Sequence, residues 1–212
     1  MPPSPNTPMT RERTWDADGI PVLHANISLP APEGQDKASR RIRKFYRLQS
    51  DAFLRYCENF LLPRAKAARD AAANAGTLLP CWEAELTYRV TFDRDGLWSL
   101  YTQSRELTDE TLLIRRGDTW DLSEAVPVPL TRFLRRPLRW RGFLYPTACA
   151  QLEQRSRAGA IHLHQDWRQR LKKALNPRDY YLTEEGIVFF LPMHSVSEDI
   201  PTFTIPWRKT AP

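Results

Sequence analysis

Five consecutive apolar residues, Ile187-Val188-Phe189-Phe190-Leu191, restrict this chain more than any other stretch. A run that continuous predicts a strand covered on both faces, and therefore one central in its sheet. The flanks agree. Pro177 drives Asn176 out of the helical region and ends whatever precedes it. Tyr180, Tyr181 and Leu182 favour a strand, and Thr183-Glu184-Glu185-Gly186 forms a short polar loop in which Gly186 is free to take positive φ. Pro192 has no N–H to give and marks the end of pairing on that side. Farther on, Phe203, Ile205 and Trp207 alternate with Thr202, Thr204 and Pro206. Strict alternation predicts a strand with one buried and one exposed face, and Pro206 places it at a sheet edge or lets it run out of the sheet.

Upstream, residues 20–30 read as a first strand. Asp36 then caps a helix, in which Ile42, Phe45, Tyr46, Gln49, Phe53, Tyr56 and Phe60 recur at helical spacing as one buried stripe. Arg40, Arg41, Arg43, Lys44 and Arg47 surround the first half of that stripe. Pro63 breaks the helix or opens a second one, and the Ala-rich stretch 65–75 favours helix up to a stop at Gly76. Strands follow at 82–92, 97–104, 111–115 and 120–122, separated by turns at 93–96, 105–110 and 117–118. Short helices are expected over 129–136, from Pro146 to about 157, and over 164–175, with Gly159 as a break. The sum is an α+β fold: an antiparallel sheet with a long N-terminal helix and short helices packed on one face. Residues 1–14, which begin rich in Pro, Ser and Asn, are expected to be a disordered arm, and residues 15–212 a single domain.

Composition narrows the chemistry. The three cysteines, Cys57, Cys81 and Cys149, lie far apart and form no CxxC pair. Free thiols in a reducing, cytoplasmic compartment are the expectation, supported by the lack of an apolar signal segment or of any apolar run near the ~20 residues that cross a bilayer. His162 and His164 would share a strand face, but a helix boundary is expected there and no third ligand has metal-site spacing. No G-x-S-x-G, P-loop, G-x-G-x-x-G or H-E-x-x-H occurs. The acidic pairs Glu184-Glu185 and Glu198-Asp199 fall near turns, where exposed carboxylates are commonplace. The expectation is therefore no cofactor, no metal and no enzyme activity.

Charge is the most unusual feature. Residues 130–178 hold twelve basic and two acidic side chains. Phe133, Trp140, Phe143 and Tyr145 interleave with them, a pattern that fits phosphate backbones or another polyanion. Arg132, Arg135, Arg136, Arg139, Arg141 and Trp140 are the candidate binding residues, for a polyanion or a partner surface. The other reading is that these arginines lie along helices and pair with acids. Trp15, Trp98, Trp120 and Trp140, in or near expected turns, offer either a protein- or saccharide-binding surface or closure of the core.

The tail also carries a family resemblance. Residues 181–190, YLTEEGIVFF, and 200–207, IPTFTIPW, resemble in order and separation the closing motif of the RsiV C-terminal domain family, named after the extracellular domain of the anti-sigma factor RsiV. Gly19-Ile20-Pro21-Val22 and Phe45-Tyr46 are similar in position to that family's N-terminal part. The chain departs from it at residues 98–106, WSLYTQSRE, where members related to RsiV carry a Gly-Gly-Ala-His-like segment, and in lacking the anti-sigma factor's membrane-spanning helix. The resemblance implies mainly a fold. In RsiV that domain is a receptor for lysozyme, and in some cell-wall deacetylases it accompanies a catalytic domain. A bacterial, cytoplasmic, non-enzymatic binding or regulatory module with a protein partner is the function expected. The alternatives are nucleic-acid or polyanion binding through residues 130–178 and, with weaker support because no motif points to a catalytic constellation, hydrolysis of cell-wall material.

Overall fold

The computed structural model describes residues 8–108, 110–134 and 140–207. In chain order the elements are β1 (Pro8–Ala17), β2 (Ile20–Pro30), α1 (Lys37–Tyr56), a π-helical turn (Cys57–Leu61), α2 (Leu62–Asn74), β3 (Trp82–Arg94), β4 (Leu97–Leu107), β5 (Thr111–Asp121), β6 (Val126–Pro127), a 3-10 turn (Leu130–Phe133), α3 (Trp140–Arg157), α4 (Trp167–Ala174), β7 (Tyr180–Leu182), β8 (Gly186–Phe190) and β9 (Thr202–Pro206). The class is α+β, as expected. One sheet has the order β1-β2-β3-β4-β5-β6 and the other β7-β8-β9. The chain divides into two compact units. The first comprises the chain up to Tyr88 together with Gln103–Leu112, and the second comprises Arg89–Thr102 together with the chain from Leu113 onward.

In the first unit, β1 and β2 form a hairpin from Pro8↔Pro30 to Ala17↔Ile20. Residues 8–14, expected in a disordered arm, are therefore strand. Residues 1–7 of that expected arm lie outside the described residues. The overlooked signal is Asp18-Gly19, whose φ values of 52° and 75° are those of a I′ hairpin turn. β1 is polar because it is an edge strand, and its charged side chains discourage further pairing. β2 buries Leu23, Ala25, Ile27 and Leu29 on one face. Asp36 caps α1 as expected, with its Oδ1 accepting from the Ser39 amide at 2.9 Å. α1 and α2 both pack against β2. They also carry the chain back so that β3 joins β2 in parallel, Leu23↔Trp82 through Ile27↔Leu86. One junction of the sheet is thus parallel, as a helical crossover requires.

The second unit is built on β8. Its apolar run is the middle strand of β7-β8-β9, with Tyr180↔Phe189 on one side and Ile187↔Ile205 on the other. Phe189 is 1% exposed and stacks on Phe203 with ring centroids 5.2 Å apart. Leu144, Ala148 and Leu152 of α3 and Leu171 of α4 complete this core. β9 is an edge strand, but its edge is covered. The Gln151 side-chain amide donates to the Thr204 carbonyl at 2.7 Å and accepts from the Thr204 N–H at 2.9 Å. Arg155 donates to the Thr202 carbonyl at 2.8 Å.

Three expectations about this unit are corrected. The turn at 117–118 is absent, because β5 runs unbroken through Gly117. Glycine is needed there because the Tyr180 backbone comes so close that a Cβ would lie 1.8 Å from its carbonyl oxygen. Pro146 does not open a helix but lies inside α3. The carbonyl left without its helical donor belongs to Gly142, which is exposed. The first short helix is a 3-10 turn ending at Phe133, with residues 135 and 136 outside the described residues.

Truncating Phe189 to Ala is expected to cost about 3–5 kcal/mol in denaturant unfolding, the range for a buried Phe. Gln151→Ala is expected to cost about 1–3 kcal/mol, because it leaves a backbone donor and an acceptor without partners. An unfolding midpoint unchanged in either variant would contradict the packing described.

Candidate cationic binding face

Among the described residues, most cations of the basic stretch at 130–178 are engaged with other groups of the fold. Arg132 lies on the 3-10 turn and donates to Asp121 Oδ2 at 2.6 Å. Asp121 is 6% exposed, and the Ser123 hydroxyl and the Arg132 guanidinium hold its carboxyl far below the ordinary range. Trp140 is half-buried against the core of the second unit, and the Arg141 guanidinium sits 5.0 Å from its ring centroid. Arg135, Arg136 and Arg139 lie outside the described residues. Arg157 and Arg168 share Glu153 at 3.1 and 3.2 Å, and Arg170 pairs with Asp166 at 2.7 Å. Each exposed pair contributes only ~0–1 kcal/mol to stability, yet each neutralises a charge that the sequence count left free. Of the candidate residues, the structure brings Arg141 and Trp140 together and turns Arg132 away onto Asp121.

A different set of cations is exposed on α1. α1 carries seven cations and one carboxylate, Asp51. Lys37, Arg40, Arg41, Lys44, Arg47 and Arg55 are exposed along one face of the helix, opposite the buried Ile42, Tyr46 and Phe53. From Lys37 to Arg55 the stripe runs about 27 Å, at 1.5 Å per residue. Arg43 is drawn aside to the Pro32 and Gly34 carbonyls at 2.6 and 2.8 Å. Asp51 is taken by Arg11 at 2.5 Å, and that hydrogen bond keeps its carboxyl below the usual range. Among the described residues, Lys37, Arg40, Arg41 and Lys44 have no carboxylate within ion-pair distance. Leu48, 53% exposed, lies in the middle of the stripe, and Phe60, 62% exposed, lies beyond its end.

The exposure of Phe60 corrects its placement in the buried stripe. The turn Cys57–Leu61 is π-helical, so one extra residue enters the turn and later side chains are rotated off the α-helical face. Phe60 still stacks on Tyr56, with centroids 5.6 Å apart, but it faces water. The cations themselves were visible in the sequence. Which of them lacked acids was not, because pairing is a tertiary property.

Beside this turn lies a buried acid. Glu106 on β4 is 3% exposed and accepts from the Tyr56 hydroxyl at 3.2 Å. Burial pushes its carboxyl up. Burial, then the Glu106 charge, pushes the Cys57 thiol up to about 12. A thiol held protonated and fully buried is not a nucleophile. All three cysteines are free. Glu198 contacts His194 at 2.8 Å and His164 at 3.8 Å, but no group of three metal-ligating side chains occurs among the described residues. Trp15, Trp98 and Trp120 are 8%, 0% and 2% exposed, so they belong to the core and not to a binding surface. No helix among the described residues is long and apolar enough to cross a membrane.

No protein-family model matches the chain, and no curated protein matches it. Solved structures with a similar fold include a member of the DUF3298 family from Bacteroides fragilis, with a TM-score of 0.67 at 11% identity over 95% of this chain and 90% of that one. They also include a DUF3298 family protein from Pseudomonas aeruginosa, with a TM-score of 0.55 at 14% identity over 96% of this chain and 90% of that one. At these identities the likeness is one of fold.

Glu106 gives this face a measurable pH signature. Its folded pKa lies above the ordinary value of 4.5. The fold therefore favours the neutral acid, and that contribution is complete below the unfolded value and lost as pH rises through the folded one. Glu106→Gln keeps an acceptor for Tyr56 and removes the loss. Thermal unfolding is expected to show the variant more stable than the parent at about pH 8 and equal to it at about pH 4. A variant less stable than the parent at about pH 8 and equal to it at about pH 4 would mean that Glu106 is folded as a stabilised anion.

Proposed function

We propose that the chain is a non-enzymatic binding module, and that it receives a protein partner with an acidic surface on the exposed face of α1. The observation that carries this reading is a set of exposed cations along one helix face, Lys37, Arg40, Arg41 and Lys44, with no carboxylate among the described residues within ion-pair distance. Leu48 and Phe60 add apolar contacts to the charge, a mixture suited to protein interfaces, in which aromatic and Arg anchors supply affinity and charge steers association. The resemblance of the tail to the RsiV C-terminal domain, a receptor domain in RsiV, supports a receiving domain over a catalytic one. The free thiols fit a reducing, cytoplasmic setting. Polyanion binding through 130–178 has less support, since most described cations there are engaged.

The test is affinity capture by the tagged full chain from an extract of its own cell type. The parent is expected to retain a specific partner, less so in about 0.5 M salt, where the Debye length falls to a few ångströms. R40E/R41E/K44E is expected to reduce retention at least about tenfold, the equivalent of 1.4 kcal/mol, with its circular dichroism unchanged. K173E/R178E is expected to leave it intact. The reverse pattern, or salt-dependent retention on DNA that survives the triple change on α1, would overturn the proposal in favour of the 130–178 segment.

A further inference from the structure

We infer that the first unit also holds a binding groove for a straight-chain carboxylate, separate from the α1 face. The groove, of about 250 Å³, lies between the start of β2, one face of α2 and residues 77–80. Its walls include Val22, Ala65, Ala73 and Leu79, and Arg69 is the charged residue in its lining. Ile20, 53% exposed, and Leu78, 101% exposed, also line it. An apolar occupant of the groove would cover part of this exposed apolar surface.

The local sequence explains the shape. Ala65, Arg69 and Ala73 follow at intervals of four on α2, so they share one face and span about 12 Å of helix. Two methyl side chains on that face leave the depression, and the long side chain between them places a cation in it. Arg69 donates to the Ala17 carbonyl, and its side chain is 24% exposed. Its acidic neighbour, Asp18, is 3.8 Å away and 94% exposed. A hydrated ion pair at that distance is weak and displaceable. A carboxylate entering from the apolar side would meet the same guanidinium with less water around it, where charge-assisted hydrogen bonds are stronger.

The walls then select the remainder of the ligand. Thr77 brings a hydroxyl to the lining, and that hydroxyl is committed to the Ala72 carbonyl at 3.1 Å. A peptide C-terminus would bring amides to an apolar wall that offers them little. An unbranched alkyl tail with one anionic head, a fatty carboxylate, matches both charge and lining.

Calorimetric titration of the full chain with decanoate, with 1-decanol and with a short peptide ending in Leu-Leu tests this. Decanoate is expected to bind one to one, at least about tenfold more tightly than decanol, the difference made by a charged hydrogen bond. Arg69→Gln should remove that preference. Ala73→Leu, which fills the groove at an exposed helix position, should abolish binding of both. Asp18→Asn removes the competing carboxylate at an exposed turn and should tighten decanoate binding. Equal affinity for decanoate and decanol, no decanoate binding, preference for the peptide, or Asp18→Asn binding more weakly than the parent would overturn the inference. Because Asp18→Asn is predicted to improve binding, loss of fold cannot imitate its expected result.

Discussion

One buried hydroxyl ties the two sheets of the second unit together. Ser99 on β4 is fully buried. Its oxygen lies 2.8 Å from the Thr119 hydroxyl and 3.3 Å from the Asp118 carbonyl on β5, and it accepts from the Leu182 N–H on β7 at 2.9 Å. Close by, Gly117 lets the Tyr180 backbone approach β5, and the Tyr180 hydroxyl donates to the Val128 carbonyl at 2.5 Å. These contacts seat β7. Since β8 pairs with β7 and β9 with β8, the seating of β7 sets the register of the whole second sheet. A slip of one residue would turn Phe189 and Ile187 away from α3 and α4. The core therefore depends on a polar junction in which each member has a partner. A partly satisfied junction would be worse than none.

The cations of the chain do two different jobs. Among the described residues between 130 and 178, several hold the fold together: Arg155 covers the β9 edge, Arg132 joins Asp121, and Arg157 and Arg168 share Glu153. On α1 the only carboxylate is used by Arg11 from β1, so the stripe keeps its field. Local charge density and available charge are different quantities. A basic segment that folds among acids presents less potential than one that faces water.

The similarity to DUF3298 proteins at 11% and 14% identity has the same origin as the legibility of the tail. Folds are kept by pattern, and many sequences satisfy one pattern. Apolar continuity in β8, alternation in β9 and the Asp36 cap are such patterns, and each acts within a few residues of itself. That is why they were readable without a structure.

What the sequence alone determined is the local part: β8 as a central strand, β9 as an edge, α1 with its cap, and the α+β class. The tertiary structure decided the rest. Polar β1 is a strand because β2 lies beside it. β5 passes through Gly117 without turning because the Tyr180 backbone needs the space. Phe60 faces water because a π-turn shifted its phase, and Pro146 sits inside α3 with an exposed carbonyl behind it. The candidate site divided in the same way. The sequence supplied every cation, but whether a guanidinium is free depends on carboxylates tens of residues away, as Arg11 and Asp51 show, and only the packed chain brings those together.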